Sequence, residues 1–505
     1  MTSLEDLVGE RLMIGLPGAT LDDADLRVFR DTRAAGLILY RRNFESPAQL
    51  LDVLGRLEGA LGRRLLVATD HEGGRIVMLG RGVTIFPDNL AVGTAGEETF
   101  AYKQGLLEAR ELRRLGIDLN LGPCLDVLTD RYSPNIGIRS YGKDPKLVAR
   151  YGVARLRGMT KGGLSACPKH FPGKGHSPLD AHLKLPTITS DWDEMHAVHL
   201  VPFFEAIAAG VECVMTSHPV YPRLDPSGVP ATFSRRIVDE YLRGEVGFRG
   251  VIVSDDLEMG AVAETCPIGE ATVRTAEAGH DLLLVCHTEP AQRAAATALV
   301  EAYRSRRLPR AGLEAAAARV RALRERRSAR VEGGPPAPER DGAPLAMAMA
   351  SRAVTELTPG REAFARALNG RVLVVFPRFS ELAARITIEP EVCDEAGWVR
   401  AAFFPAGVTP EPRVVGIEPS AAEIEDAAGR AASSDATVLF LYDAHLYPSN
   451  RALLEAVQAR ARRLAVVLLR DPYDAALLAP GVHGITAFGW RRCQLEAVVA
   501  RLAYP

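Results

Sequence analysis

Short apolar runs recur through the N-terminal part of the chain, and each is followed by a longer stretch with room for a helix. Apolar strands that alternate with helices are typical of a parallel sheet covered on its faces. The predicted strands are residues 11–15, 36–40, 65–70, 117–122, 164–170, 213–218, 251–256 and 281–286. Eight such units predict a (β/α)8 barrel. An open doubly wound sheet is the alternative, although no G-x-G-x-x-G follows the first strand.

The pattern changes after Pro309. An Ala/Arg/Leu-rich helix extends to about residue 327 and a Gly/Pro/charge-rich linker follows it. Four further apolar runs, at residues 371–376, 436–442, 464–469 and 484–488, predict a smaller αβα layer domain. The predicted organisation is a catalytic barrel over residues 1–330, a linker over 331–345 and a C-terminal domain over 346–505. We expect a structural or interface role for the C-terminal domain.

Polar residues close the C-terminal ends of five of the barrel runs. One such residue alone is typical of a helix cap, but five together favour a catalytic rim, because barrel enzymes keep their chemistry at that end. The residues are Asp70; Asn120 with the nearby Asp126; Lys169 and His170; Thr216, Ser217 and His218; and Ser254, Asp255 and Asp256.

Asp255 and Asp256 are adjacent carboxylates at the end of an apolar strand. Successive strand side chains point to opposite faces, so only one of them can enter a pocket while the other anchors the loop. A fixed, ionised carboxylate can attack an acetal carbon as a nucleophile. Helix capping alone is the competing interpretation.

A Gly/Pro-rich loop over residues 167–186 contains several ionisable side chains close together in sequence. Asp180 lies two residues before His182, and a carboxylate at that distance can orient an imidazole and keep a proton on it. Such a histidine can protonate a leaving oxygen and later deprotonate water. The alternative is that both side chains only satisfy the backbone of the turn. The loop places together Lys169, His170, Lys174, His176, Asp180 and His182.

A metal site is a further interpretation of the same loop. His170, His176 and His182 with Asp180 form a set of ligand types, but they lack the usual short ligand pairs. We therefore expect neither a metal nor another cofactor.

Four residues suit the binding of a hydroxylated ring. Asp70, Arg139, Lys169 and His170 together offer a carboxylate, a fork of donors and two further donors. Each of them is equally compatible with an ordinary salt bridge at a strand end.

Composition narrows the class of protein. Of 505 residues, 47% are apolar and 25% charged, and the net charge of −2 gives no sign of nucleic-acid or membrane-surface binding. Seven scattered cysteines indicate reduced thiols rather than a disulfide framework. Neither a secretory signal nor a membrane-spanning apolar run is visible, so we expect a cytoplasmic location. The oligomeric state stays open.

Several motifs in order resemble the bacterial β-N-acetylhexosaminidases of glycoside hydrolase family 3, in their two-domain form. The motifs are Asp70-His-Glu-Gly-Gly-Arg75, Asn135-Ile-Gly-Ile-Arg-Ser140, Lys169-His-Phe-Pro-Gly173, Asp180-x-His182-x-x-Leu-Pro186 and Ser254-Asp-Asp-Leu257. The resemblance implies a retaining hydrolase that removes terminal N-acetylglucosamine, chiefly from peptidoglycan-recycling fragments such as muropeptides.

The resemblance also implies roles for individual residues. Asp255 matches the nucleophile, and His182 matches the acid/base that Asp180 orients. Asp70, Arg139, Lys169 and His170 match residues that hold the sugar, and no cofactor or metal is implied.

The loop departs from the family pattern at Lys174, His176 and Ala181. Lys174 replaces the usual histidine, and near His182 its charge would lower the pKa of the imidazole. His176 is a competing acid/base. These departures affect the groups expected to protonate the leaving oxygen, and with them the pH optimum, more than they affect the nucleophile.

Three other functions stay open. A β-N-acetylglucosaminide phosphorylase on the same scaffold is one, because a histidine acid/base tolerates an incoming phosphate and Lys174 and His176 add positive charge. A β-glucosidase is another, although it would need no Asp-x-His loop. The third is a catalytically inactive homologue that only binds sugar.

Overall fold

The computed structural model describes residues 2–129, 133–176, 185–327, 337–383 and 385–503. The chain divides into two compact units. The first comprises Met1–Glu72, Arg81–Thr84 and Glu98–Glu339, and the second Gly73–Gly80, Ile85–Glu97 and Arg340–Pro505. Two stretches before residue 98 thus group with the C-terminal part of the chain, which the predicted boundaries did not include.

The first unit is a barrel of eight parallel strands. Backbone pairing follows chain order from β1 to β5 and from β6 to β7, and β8 pairs with β1. Single bridges, Phe171 to Thr216 and Val253 to Leu282, complete the circle. The strands are β1 Leu12–Gly15, β2 Gly36–Leu39, β3 Leu66–Thr69, β4 Leu119–Asn120, β5 Ser165–Ala166, β6 Cys213–Met215, β7 Val251–Val253 and β8 Leu283–Val285.

Helices follow the strands around the barrel. Two of them, Met195–His199 and Arg236–Glu245, have π-helical hydrogen bonding, and short 3-10 turns lie at Arg41–Asn43, Gly137–Arg139 and Ala231–Phe233. The α-helices of this unit are Leu4–Gly9, Asp23–Thr32, Pro47–Leu61, Glu98–Arg114, Pro145–Lys161, Trp192–Glu194, Val201–Ala208, Gly260–Ala263, Ile268–Glu277, Glu289–Arg304 and Arg310–Arg326.

The barrel interior is filled by side chains from every part of the strand circle. Met13, Ile38, Ala68, Leu119 and Val253 belong to one buried cluster. The strands are short and apolar on both sides because the helices cover their outer face. Polar strand residues such as Asn120 and Ser165 lie at the last or first position of their strands.

The second unit contains a six-stranded sheet in the order β9-β14-β13-β12-β10-β11. All neighbours are parallel except β9 and β14. The strands are β9 Thr355–Glu356, β10 Val372–Pro377, β11 Pro410–Val415, β12 Ala436–Leu441, β13 Leu464–Leu468 and β14 His483–Thr486. Its α-helices are Asn89–Thr94, Gly342–Ala353, Arg361–Ala367, Glu395–Phe403, Ala421–Ser433, Pro448–Arg460 and Arg492–Ala503.

The predicted fold class is confirmed, and all eight barrel strands lie within the predicted apolar runs. The prediction of four C-terminal strands missed two. β11 begins Pro-Glu-Pro and its middle is only half-buried, so it has no apolar run. The predicted linker also extended too far, because the helix Gly342–Ala353 begins before its end; Pro344 lies in the first turn, where proline is tolerated. Within the described residues, no helix is long and apolar enough to cross a membrane.

Two barrel helices, Glu98–Arg114 and Pro145–Lys161, approach each other so closely that side chains are excluded at the crossing. A Cβ atom at Gly105 would overlap the carbonyl oxygen of Arg155. Beside the crossing, the fully buried Arg155 donates to both carboxylate oxygens of Glu108, at 3.0 and 2.8 Å. Removing one member of a buried ion pair leaves the other charge uncompensated.

We expect Arg155→Met to lower the free energy of unfolding of the barrel by about 3–5 kcal/mol, because Glu108 loses its counterion. Adding Glu108→Gln should recover more than half of that loss, since the double variant contains no buried charge at this place. Urea unfolding monitored by far-UV circular dichroism measures both effects.

Arg157→Met is the matched control, because Arg157 lies on the same helix with an exposed side chain. Its effect should stay within about 0.5 kcal/mol. Equal destabilisation by the two single substitutions would contradict a role for the buried pair.

Candidate active site

The polar residues singled out from the sequence lie at the C-terminal end of the barrel. Asp70 directly follows β3, Lys169 and His170 follow β5, and Asp255 follows β7. Burial raises the pKa of Asp70, and the nearby charge of Asp255 adds to that increase. Lys169 in turn favours the ionised form of Asp255. The strand ends therefore contribute to one site.

A buried carboxylate that the sequence analysis did not single out organises one side of this site. Glu72 accepts two hydrogen bonds from the guanidinium of Arg139, at 2.9 and 2.7 Å. The ammonium of Lys169 lies 2.8 Å from Glu72 and also contacts Asp70. Glu72 is thus the shared counterion of two cations. Arg139 also donates to the carbonyl of Asn135, so most of its fork is engaged within the protein.

Electrostatics keep these groups charged. Burial alone raises the pKa of Glu72, but Arg139 and Lys169 outweigh it and hold the pKa far below its ordinary value. Burial alone lowers the pKa of Lys169, but the carboxylates of Asp70 and Glu72 raise it above the ordinary lysine value. The site therefore presents a fixed ammonium at neutral pH.

Asp126 is a second carboxylate that binds several neighbours. One of its oxygens lies 2.7 Å from Nδ1 of His170, and the other accepts the backbone N–H of Lys174 at 2.6 Å. The thiol of Cys124 donates to it at 3.2 Å. Asp126 thus fixes both the His170 ring and the backbone of the loop at Lys174.

The same three side chains, Cys124, Asp126 and His170, bring potential metal-ligand atoms within 4.8 Å of one another. The metal set considered from the sequence was different, because it drew on His170, His176, Asp180 and His182. Among the described members of that set, His170 contacts Asp126, whereas Nδ1 of His176 lies 3.1 Å from the hydroxyl of Thr129.

The two aspartates after β7 have different surroundings. Asp256 lies 2.9 Å from Nε2 of His287, accepts the N–H of Glu258 at 3.2 Å, and is buried. Asp255 accepts the N–H of Asp256 at 2.9 Å, and its side chain is 16% exposed. Asp256 anchors the loop and Asp255 keeps a free face, as alternation along a strand requires.

Among the residues that the structure describes, Lys174 is the cation within ion-pair distance of Asp255. Its Nζ lies 3.9 Å from Oδ2 of Asp255, and its side chain is buried. Burial raises the pKa of Asp255, but Lys174, His218 and Lys169 outweigh it, so the pKa lies below the ordinary aspartate value. An aspartate in this setting is ionised at neutral pH and suited to nucleophilic attack.

His218 is another residue that the sequence placed only at a strand end. Its Nε2 lies 2.9 Å from the carbonyl oxygen of Asp256, and Nδ1 lies 2.6 Å from the hydroxyl of Thr232. Burial lowers the pKa of His218. The ring connects the strand end that carries Ser217 to the loop that carries Asp255.

The loop predicted over residues 167–186 leaves β5 through two glycines that the packing requires. Gly173 has φ of 118°, and a Cβ atom there would lie 2.8 Å from Cβ of His199. A Cβ atom at Gly175 would overlap the carbonyl oxygen of Val127. Asp180 and His182, the proposed dyad, lie outside the described residues, and so does Ala181.

Comparison with known proteins supports a glycosidase. The model of the family described as "Glycosyl hydrolase family 3 N terminal domain" matches residues 4–323. The β-hexosaminidase of Xylella fastidiosa (strain 9a5c) is 36% identical over 284 residues, which are 55% of this chain and 84% of that protein. The β-hexosaminidase of Tolumonas auensis (strain DSM 9187 / NBRC 110442 / TA 4) is 37% identical over 293 residues, 57% of this chain and 85% of that protein.

A solved structure extends the likeness to the whole chain. The glycoside hydrolase family 3 β-N-acetylglucosaminidase from Paenibacillus sp. str. FPU-7 is 32% identical and gives a TM-score of 0.93 over 100% of this chain and 97% of that one. The resemblance predicted from the motifs is therefore confirmed. The chain belongs to glycoside hydrolase family 3 and is a glycoside hydrolase.

Proposed function

We propose that the protein is a retaining exo-β-N-acetylglucosaminidase. In this proposal Asp255 attacks the anomeric carbon of a terminal N-acetylglucosamine, and His182, oriented by Asp180, protonates the leaving oxygen. Water then releases the sugar from the glycosyl-aspartate intermediate with His182 as the base. The names of the β-hexosaminidase and β-N-acetylglucosaminidase relatives support the choice of sugar.

The surroundings of Asp255 carry this proposal. It is the carboxylate that combines a free face, a depressed pKa and a place at the barrel rim. A nucleophile must be ionised before it attacks, and Lys174 favours that state from 3.9 Å. The positive charge of the Lys174 ammonium also weakens the electrostatic repulsion between the Asp255 carboxylate and the electron-rich oxygens of the sugar.

The sugar-binding roles differ among the four proposed residues. Asp70 and Lys169 supply a carboxylate and an ammonium at the rim and are assigned to ring hydroxyls. His170, held by Asp126, is assigned a donor or acceptor role. Arg139 donates Nε–H and one terminal N–H to Glu72, so we propose that it acts mainly by positioning Glu72 and, through it, Lys169.

The proposed physiological substrate is a peptidoglycan-recycling fragment processed in the cytoplasm. This part of the proposal depends on the resemblance of the loop and strand-end motifs to family members of that type. The rim carries both a fixed cation and carboxylates, which suits a substrate that combines sugar hydroxyls with charged groups.

A phosphorylase is the second candidate, because Lys174 adds a buried positive charge next to the reacting centre. An incoming phosphate dianion is attracted by such a charge, whereas a carboxylate acid/base would repel it. The candidates differ in product, since hydrolysis gives the free sugar and phosphorolysis gives the sugar 1-phosphate.

The first prediction from this proposed function concerns the nucleophile and the reaction type together. With a panel of aryl glycosides, wild-type enzyme should release aryl alcohol from the N-acetyl-β-glucosaminide in preference to the β-glucoside, at a rate independent of added phosphate. Asp255→Ala should lower kcat by at least about a thousandfold, since the covalent step is lost. Chromatography of the sugar product separates free N-acetylglucosamine from its 1-phosphate.

Asp256→Asn is the companion variant, because Asp256 anchors the loop without a free face. It should retain far more activity than Asp255→Ala. A phosphate-dependent rate with sugar 1-phosphate as product would replace the hydrolase by the phosphorylase. Saccharide binding without turnover on any glycoside would favour an inactive homologue.

The second prediction tests the acid/base. His182→Ala should reduce turnover of substrates with poor leaving groups by about 10²–10⁴-fold and affect activated dinitrophenyl glycosides much less, because these need no protonation. A plot of log kcat/KM against leaving-group pKa measures the difference. His176→Ala is the matched loop variant and should leave that slope near the wild-type value. If only His176→Ala steepens the plot, the acid role belongs to His176.

The third prediction concerns pH. Lys174 holds the pKa of Asp255 down, so Lys174→Met should raise it. Activity requires ionised Asp255, and the acidic limb of the kcat/KM profile should therefore move to higher pH, by about 1–2 units. The exposed Lys143 provides the control variant, Lys143→Met, whose acidic limb should not move. An unchanged limb in Lys174→Met would remove Lys174 from the control of the nucleophile.

A further inference from the structure

The barrel has an arginine-rich cleft at the end opposite Asp255. The cleft has a volume of about 710 Å³ and is lined by seven arginines but only three carboxylates. Arg11 directly precedes β1, Arg249 lies just before β7, and Asp281 lies before β8, so the cleft opens at the N-terminal ends of the strands. The chain as a whole carries a net charge of −2, and this local positive excess contrasts with it.

The floor of the cleft holds one carboxylate between two arginines. One oxygen of Asp281 accepts from Arg243 at 2.5 Å and from the backbone N–H of Ile252 at 2.8 Å. The other oxygen accepts both Nε and a terminal nitrogen of Arg319, at 2.9 and 2.7 Å. One negative charge therefore faces two positive ones.

Arg11 adds a third cation without a carboxylate of its own. Only 2% of it is exposed, and its guanidinium donates to the Tyr303 hydroxyl and to the carbonyl oxygens of His280 and Asp281, the latter two at 2.5 and 3.4 Å. Across the described ranges no carboxylate lies within 4.0 Å of it. The His280 ring is neutral, because burial and nearby arginines lower its pKa to about 3. A buried cation with only neutral acceptors favours a nearby anion.

Two arginines farther out likewise lack a carboxylate within ion-pair distance in the part of the chain that the structure describes. Arg274 is half-buried, with its guanidinium 4.4 Å from the centre of the Phe233 ring. Arg249 is exposed. Others of the cleft are already paired, as Arg307 is with Glu270 and Glu277. The positive excess is therefore concentrated at Arg11, Arg249 and Arg274 and around Asp281.

We propose that this cleft is a binding site for a small phosphate-bearing anion, separate from the catalytic site. Arginine forks match phosphate oxygens in pairs, and the stacking of Arg274 on Phe233 limits the freedom of one fork before binding. The volume of the cleft lies in the range of small-molecule sites. A cleft of this size is too confined for a nucleic-acid strand. The phosphate group can belong to an inorganic ion or to an organic ester, and the cleft recognises the group common to both.

The test is isothermal titration calorimetry, in which the full chain is titrated with inorganic pyrophosphate and the heat of binding is measured. Wild type should show one saturable site per chain. Arg249→Gln/Arg274→Gln should weaken binding by at least about tenfold, because charge-assisted hydrogen bonds are lost. A parallel titration with phenyl phosphate and inorganic phosphate identifies the source: tighter binding of the ester indicates an organic phosphate, and tighter binding of the free ion an inorganic one.

Arg27→Gln/Arg150→Gln is the matched control. Both residues are exposed on other barrel helices, and the double change removes the same formal charge. It should alter pyrophosphate affinity by no more than about twofold at moderate salt. Thermal unfolding midpoints near that of wild type establish that both double variants are folded, independently of any activity.

Three results would overturn the proposal. One is the absence of saturable binding, and another is equal weakening in the two double variants, which would indicate general charge attraction. The third is competition of pyrophosphate with N-acetylglucosamine together with unchanged affinity in Arg249→Gln/Arg274→Gln, which would place the anion at the catalytic end. The proposal does not depend on which glycoside the enzyme cleaves.

Discussion

The buried charge of Glu72 is the constraint on which the arrangement of Arg139 and Lys169 at the C-terminal end of the barrel depends. Arg139 and Lys169 both lie out of solvent, and two such cations next to each other would be unstable without a shared counterion. Glu72 supplies it and leaves Lys169 with a further contact to Asp70. The ammonium is therefore fixed in position and charge before any substrate arrives, which is the condition for binding a polar ring without reorganisation.

Asp126 applies the same principle on the loop side, and the contrast with Asp255 follows from it. Asp126 uses both oxygens on the protein, one for His170 and one for the Lys174 backbone. Asp255 accepts one backbone N–H and faces an ammonium at 3.9 Å, beyond hydrogen-bond length. A carboxylate with saturated oxygens is a poor nucleophile, because attack would have to break those bonds. The least engaged of the buried carboxylates at this end is thus the one suited to chemistry.

The barrel was predictable because its signals are local. Each strand is an apolar run that ends in polar, Gly or Pro residues, and the spacing leaves room for a helix. The pairing of Glu72 with Arg139 was not predictable, because it joins residues far apart in sequence that only the closed barrel brings together. The same holds for Asp126 with His170. Asp255 and Asp256 lie between these cases: alternation along the strand predicts that they differ, but only the neighbours decide which one keeps a free face.

Strand β7 shows how close the two ends of the barrel are to each other along the chain. The N–H of Ile252 in β7 donates to Asp281 at the arginine-rich end, and Asp255 lies only three residues farther along. At the rise of a strand this is about 10 Å. Buried apolar side chains such as Met215, Val253 and Leu284 fill much of the space between the ends, and the Thr216 hydroxyl lies there 2.8 Å from Nε2 of His280. The ion pairs at each end join residues of that same end, so each end satisfies its own charges. The C-terminal end does so with Glu72 and Asp126, whereas in the arginine-rich cleft one buried carboxylate, Asp281, faces a larger set of arginines.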